Sequence, residues 1–139
     1  MTIFALSSGP GISGIAVIRI SGTKTEKVIL SLTNSSLPDV KIATLRKLMN
    51  PENGELIDEG LVILFKAPNS YTGEDMAELH VHGSKAVVQE ILNVLEKFNG
   101  CRLAEPGEFT KIAFQNNKIN LLKAESIGDL IAAETELQR

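Results

Sequence analysis

Residues 68–84, PNSYTGEDMAELHVHGS, constrain the fold more than any other run, because turn, strand and helix signals succeed one another without a gap. Pro68, Asn69, Ser70 and Gly73 are turn formers. From 76 to 82 the side chains alternate, and the two-residue period of an extended chain sorts them by face. Met76, Glu78, His80 and His82 fall on one side, with Ala77, Leu79 and Val81 on the other. Gly83 and Ser84 then turn the chain into a helix over 85–98. There Val87, Val88, Ile91, Leu92, Leu95 and Phe98 make one stripe, and Ser84 is placed as N-cap. The expectation is a strand whose far side is core and whose near side presents a carboxylate and two imidazoles, a candidate binding site.

The segments before it supply strands for it to pair with. Residues 2–6 form a short apolar strand, with Gly9, Gly11 and Gly14 after it at the spacing G-x-G-x-x-G. A dinucleotide site would need a helix to open there, with its N-terminal amides on the pyrophosphate. Residues 15–20 read instead IAVIRI, rich in β-branched side chains, so a glycine-rich turn between two paired strands is expected. The glycines lead into no Gly-Lys-Ser/Thr, so there is no Walker loop, and GTP hydrolysis by this chain alone is disfavoured. Alternation sets Arg19 with Ile15 and Val17, opposite Ala16, Ile18 and Ile20. Such an arginine usually lies at an edge or snorkels outward. Its five fixed donors would also suit an anion or a carbonyl.

Further along, Thr23–Glu26 has capping-box spacing, and Val28, Ile29 and Leu32 are the inner stripe of a short helix stopped by residues 34–38. Strands are expected over 41–48, 57–67 and 101–104, with a strong turn at 50–54 and an apolar run at 61–65 suited to the sheet interior. A helix begins at 105–109 with Phe109, Ala113 and Ile112 facing inward. Asn116-Asn117 suits a left-handed C-cap and leaves Lys118 in a tight connection. Asn120 caps a last helix carrying Leu121, Ile127, Leu130 and Ile131, which meets no stop signal, so the chain is expected to end inside a helix of a longer protein. The fold class is α+β, a mixed sheet of about five strands with flanking helices.

Composition narrows the function. The 139 residues suffice for one domain with a buried core, and with 43% apolar, 22% charged and no Trp the chain is neither disordered nor membrane-spanning. The start lacks the basic end and long apolar stretch of a signal peptide, and no apolar run is long enough for a bilayer. Cys101 is the single cysteine, so no internal disulfide forms and a reducing cytoplasm is expected. It reads as a small buried residue. A net charge of −3 argues against a nucleic-acid surface spread over the whole domain. Glu78, His80 and His82 invite a zinc reading. However, a strand places any alternating trio on one face, so no metal is assigned and His82 is read as a hydrogen-bonded strand-end residue.

Three blocks together carry a resemblance. Residues 10–22 (PGISGIAVIRISG), 68–84 and 102–131 (RLAEPGEFTKIAFQNNKINLLKAESIGDLI) resemble the N-terminal region of the tRNA-modification GTPase family MnmE, also called TrmE. The strings SYTGED-x-x-EL-x-x-HG and PGEF-x-x-x-AF-x-N-x-K-x-x-L-x-x-AE are long and specific. The resemblance implies a folate-binding and dimerisation domain over 1–118, similar to the tetrahydrofolate-binding domains of one-carbon enzymes. Residues 119–139 would be the first helix of a truncated helical domain. It also implies a homodimer, a 5-formyltetrahydrofolate-type ligand, and C5 modification of the wobble uridine of tRNA together with an MnmG-type flavoprotein. GTP, potassium and magnesium would belong to a GTP-binding domain absent from this chain, so the parent protein is the hydrolase.

On the same resemblance Arg19, Glu78 and Lys118 fall on folate-contacting positions, and no catalytic residue is assigned. The chemistry is compatible. A pterin presents an amidine-like edge that a carboxylate such as Glu78 accepts in a paired fashion, while Arg19 and Lys118 suit the tail carboxylates, carbonyls or formyl oxygen. The chain departs from the family pattern at Ile12, Ser13 and Ser84, where the family often has an arginine, a further glycine, and the second glycine of His-Gly-Gly. Two other readings stand beside this one: a dimerisation scaffold that has lost its ligand, and a free-standing aminomethyltransferase-like folate enzyme.

Overall fold

The computed structural model describes residues 1–7 and 14–119. Within them the strands are β1 (Thr2–Leu6), β2 (Ile15–Ser21), β3 (Thr44–Met49), β4 (Leu56–Phe65), β5 (Met76–His82) and β6 (Cys101–Leu103). The helices are α1 (Thr25–Thr33), α2 (Lys85–Glu96) and α3 (Glu108–Gln115). All six strands join one sheet in the order β3-β4-β5-β2-β1-β6. Only β1 with β6 is parallel among these pairings, so the sheet is mixed and the fold is α+β as expected, with one strand at each of the six segments read as extended.

The strand pattern makes two unequal faces. On one, Phe4, Ile18, Ile20, Leu48, Val62, Leu79 and their neighbours are buried beneath Val28, Ile29 and Leu32 of α1 and Ile91, Val94 and Leu95 of α2. Each such side chain contributes about 1.5–3 kcal/mol over leaving it in water. On the other face a smaller cluster of Ile3, Ala5, Met76, Ala104 and Phe109 is covered by α3. Toward the opposite end of this second face lie Ile15 at 57% exposure, Leu45 at 57% and Leu61 at 40%. The alternation of β5 holds: Ala77, Leu79 and Val81 are buried in the large core, while Glu78 and His80 are half-buried and His82 exposed on the other side.

β1 and β2 pair antiparallel, with Leu6 opposite Ile18; the glycine-rich turn expected between them and the departures at Ile12 and Ser13 fall on residues 8–13, outside the described residues. β2 stands where a dinucleotide fold would need a helix. The capping box at Thr23–Glu26 does not form. The N-cap of α1 is Lys24 with no side-chain bond, and Glu26 turns instead to Lys66 Nζ at 3.3 Å. Strand β3 begins at Thr44 rather than 41, because Lys41 takes a left-handed φ of +66° after a single bridge of Val40 to Leu64. Strand β4 ends at Phe65 and α2 at Glu96, although Phe98 still packs on the core. α3 starts at Glu108, after Gly107 has taken φ +74°. Cys101 is half-buried rather than buried. The last helix expected from Asn120 lies outside the described residues.

Candidate functional site

The face of β2 and β5 that α3 covers at one end is framed by the loop of residues 68–75. Polar contacts pin that loop on several sides. Thr72 is fully buried, and its hydroxyl meets Ser21 Oγ at 2.8 Å. Ser21 also donates to Glu74 Oε1 at 2.8 Å, and Ser70 Oγ donates to the carbonyl of Glu74. From α3, Asn116 Nδ2 donates to the Thr72 carbonyl at 2.8 Å. Gly73 sits at φ +85°, and a Cβ there would come within 3.2 Å of Asn116 Cβ, so glycine serves both backbone and packing.

Arg19 and Glu78 are cross-strand partners in the register of β2 and β5. Directly opposed residues on one face stand about 5 Å apart at Cβ, which brings this acid and base together. The guanidinium of Arg19 lies with Cζ 5.2 Å from the Tyr71 ring centroid and 5.7 Å from that of Phe109, within cation–π range of both. Tyr71 is itself steadied by Thr110, hydroxyl to hydroxyl at 3.1 Å. Arg19 Nε is buried and, among the described residues, meets no hydrogen-bond acceptor. The Arg19 Nη2 to Glu78 Oε2 separation is 3.8 Å, an ion-pair distance but too long for a hydrogen bond. Glu78 Oε1 is instead 3.0 Å from His80 Nε2. Since an ionised carboxylate only accepts, that ring nitrogen carries the proton.

Lys118 reaches the site from α3. Arg102 of β6 grips Glu108 at the start of the helix through a bidentate pair, Nη1 to Oε1 at 2.7 Å with Nη2 on Oε2, and the backbone N–H of Glu105 donates to Oε1 at 2.9 Å. The Arg102 guanidinium holds the Glu108 carboxyl below its ordinary range, and Glu108 raises Arg102 in turn. At the far end Asn117 takes φ +59°, Lys118 N–H bonds the Ala113 carbonyl at 2.8 Å and Asn117 N–H the Phe114 carbonyl at 3.1 Å. This is a Schellman close, with asparagine in the left-handed position as the Asn-Asn pair implies. Lys118 Nζ then donates to the Pro68 carbonyl at 3.1 Å, at the head of the framing loop.

Of the three expected site residues, Arg19 and Glu78 are adjacent, and Lys118 is tied to them through the loop rather than by contact. Sequence reasoning misses Tyr71 and Phe109 as walls for Arg19, and His80 as the partner of Glu78. An aromatic in a turn-rich loop and an inward Phe on α3 are the signals that could have found the walls. His82 turns away: its ring Nδ1 is 2.8 Å from Asp58 Oδ1, its backbone N–H donates to Oδ2 at 2.9 Å, and its side chain is 74% exposed. Burial acts to raise Asp58, but the bonds from the His82 backbone and ring, together with the Glu59 backbone N–H, outweigh it and hold the carboxyl below its usual range. Among the described residues no three His, Cys, Asp or Glu side chains could hold a metal ion.

Comparison with known proteins adds the family. The model of the GTP-binding protein TrmE N-terminus matches residues 2–118. The chain is similar to the tRNA modification GTPase MnmE of Pelagibacter ubique, 64% identical over 139 residues, covering 100% of this chain and 31% of the relative. The protein of the same name from Brucella anthropi is 53% identical over 138 residues, covering 99% of this chain and 31% of the relative. That from Rickettsia bellii is 53% identical over 137 residues, again 99% and 31%. The chain thus spans about a third of the length of the curated relatives it matches.

Proposed function

The chain belongs to the family of TrmE N-terminal domains, and on that premise we propose that it binds a 5-formyltetrahydrofolate-type one-carbon carrier and homodimerises. Its residues 1–118 form the binding and dimerisation domain, and 119–139 open a helical domain. In the whole protein it serves C5 modification of the wobble uridine of tRNA, in the cytoplasm, with an MnmG-type flavoprotein, while GTP, potassium and magnesium are handled by a separate GTP-binding domain. Among the described residues no helix is long and apolar enough to cross a membrane.

One observation carries the ligand reading: an acid and a base, Glu78 and Arg19, face each other across β2 and β5 without closing into a hydrogen-bonded pair. The Glu78 carboxylate suits the paired N–H donors of a pterin edge, and the partly exposed Arg19 guanidinium and the exposed Lys118 ammonium suit carbonyl, formyl or carboxylate oxygens. Tyr71 and Phe109 give the site apolar walls, the usual setting for a few convergent polar groups. The exposed Ile15, Leu45 and Leu61 on the same face support a second copy as neighbour.

Calorimetric titration of 5-formyltetrahydrofolate into the chain, with Glu78→Ala and Lys118→Ala in parallel and the mass of each in solution measured, tests the proposal. Saturable binding by a dimer, weakened in both variants, is expected. A folded dimer that ignores the folate would leave a dimerisation scaffold, and binding indifferent to both substitutions would remove these residues from the site.

A further inference from the structure

Glu78 sits between two basic side chains and, among the described residues, hydrogen-bonds to only one of them. Arg19 and Glu78 are directly opposed in register, the arrangement from which a guanidinium and a carboxylate most readily close into a bidentate pair. They have not closed: Oε2 stays 3.8 Å from Arg19 Nη2, and Arg19 lies against Tyr71 and Phe109 with its Nε unmatched. Among the described residues the hydrogen bond on the Glu78 carboxylate comes from His80 Nε2, at 3.0 Å to Oε1. The cross-strand neighbours of His80 are Val17 on β2 and Leu61 on β4, both apolar, so the ring finds its acceptor along its own strand.

We propose that His80 is a positioning residue that draws the Glu78 carboxylate away from Arg19, so that acid and base keep hydrogen-bonding capacity for a ligand instead of satisfying each other. The three side chains are of similar, low exposure, 24% for Arg19, 22% for Glu78 and 27% for His80, so water replaces the missing contacts only in part. A carboxylate has about four lone-pair positions, and one bond to His80 leaves the others for paired N–H donors. Remove the imidazole, and the shortest route to a satisfied Glu78 is rotation onto Arg19, which fills the site with its own ion pair. The identity of the ligand rests on the proposed folate binding; the separation of Glu78 from Arg19 does not.

The test uses the 139-residue chain with His80→Leu, which deletes the donor, and His80→Gln, which returns an N–H at similar reach. For 5-formyltetrahydrofolate, His80→Leu is expected to weaken binding about tenfold, as the loss of one oriented charged hydrogen bond implies, while His80→Gln stays within about threefold of the parent. A second arm needs no ligand. The coupling between Arg19 and Glu78 in unfolding stability, taken from Arg19→Met, Glu78→Gln and the double variant, is expected to be small in the parent and larger when His80 is leucine. A merely structural histidine would lower stability in both substitutions without raising that coupling. Leucine binding as well as histidine, glutamine failing as badly as leucine, or an unchanged coupling would each overturn the proposal. Should the parent not bind the folate at all, the ligand reading falls and the coupling arm alone decides the role of His80.

Discussion

Glu108→Gln isolates the contact that seats α3, the helix that supplies Phe109 to the site and leads to Lys118. The glutamate accepts two bonds from Arg102 and one from the Glu105 backbone, and its side chain is 16% exposed. Glutamine keeps the shape but sets an NH2 group against a guanidinium donor. Charge-assisted bonds are worth about 1.5–3 kcal/mol when well buried. Arg102 is 41% exposed, so solvent screening reduces this pair to about 1–2 kcal/mol in total. On a chain of this size that is a fall of roughly 3–8 °C in melting temperature. The pH dependence comes from the direction of the shift. The Glu108 carboxyl is lowered on folding, so its stabilisation is present above the unfolded value near 4.5 and is lost as pH falls through the folded value. Urea denaturation at about pH 7 should therefore separate parent and variant, and the gap should narrow progressively as pH falls below the unfolded value toward the lowered folded one. A gap that persists unchanged at about pH 3, or no gap near neutrality, would refute the claim that this ion pair holds the helix.

Two further substitutions probe the packing around the site. Gly60→Ala would place a Cβ 2.3 Å from the His80 backbone oxygen, so β4 and β5 must part beside the site; a loss of about 3 kcal/mol in urea denaturation is expected, and a loss below about 0.5 kcal/mol would show the contact to be soft. Phe109→Ala empties a 2%-exposed position in the smaller core and removes one wall from Arg19, for a loss of about 3–4 kcal/mol by the same assay. Phe109→Leu, which keeps the volume better, should lose distinctly less, and equal losses would count against a packing role.

What is legible in the sequence, and what is not, divides along physical lines. Two-residue alternation in 76–82 and 15–20 is readable because each strand buries one face in the large core, and burial punishes any slip of register. Ser84 and Asn117 are readable because local backbone geometry selects them. The capping box at Thr23–Glu26 fails because the helix opens one residue later than that spacing needs, with Lys24 at the N-cap, and Glu26 meets the distant Lys66 instead, neither of which spacing reveals. Strand β3 starts later than its residues suggest for a similar reason: Lys41 bends the chain with a left-handed turn that its residue type does not announce. In the site, alternation alone puts Arg19 and Glu78 on definite faces of their strands, but their being opposite one another depends on the pairing of β2 with β5, which lie far apart in the chain. Tyr71, Phe109 and His80 gain their roles only from that juxtaposition.

The most direct test of the central claim is a crystal structure of the chain grown with 5-formyltetrahydrofolate. The expected density shows a pterin edge on the Glu78 carboxylate, with Arg19 and Lys118 turned to oxygens of the ligand and His80 still on Glu78. A folate bound elsewhere, or Glu78 closed onto Arg19 in the liganded chain, would contradict it.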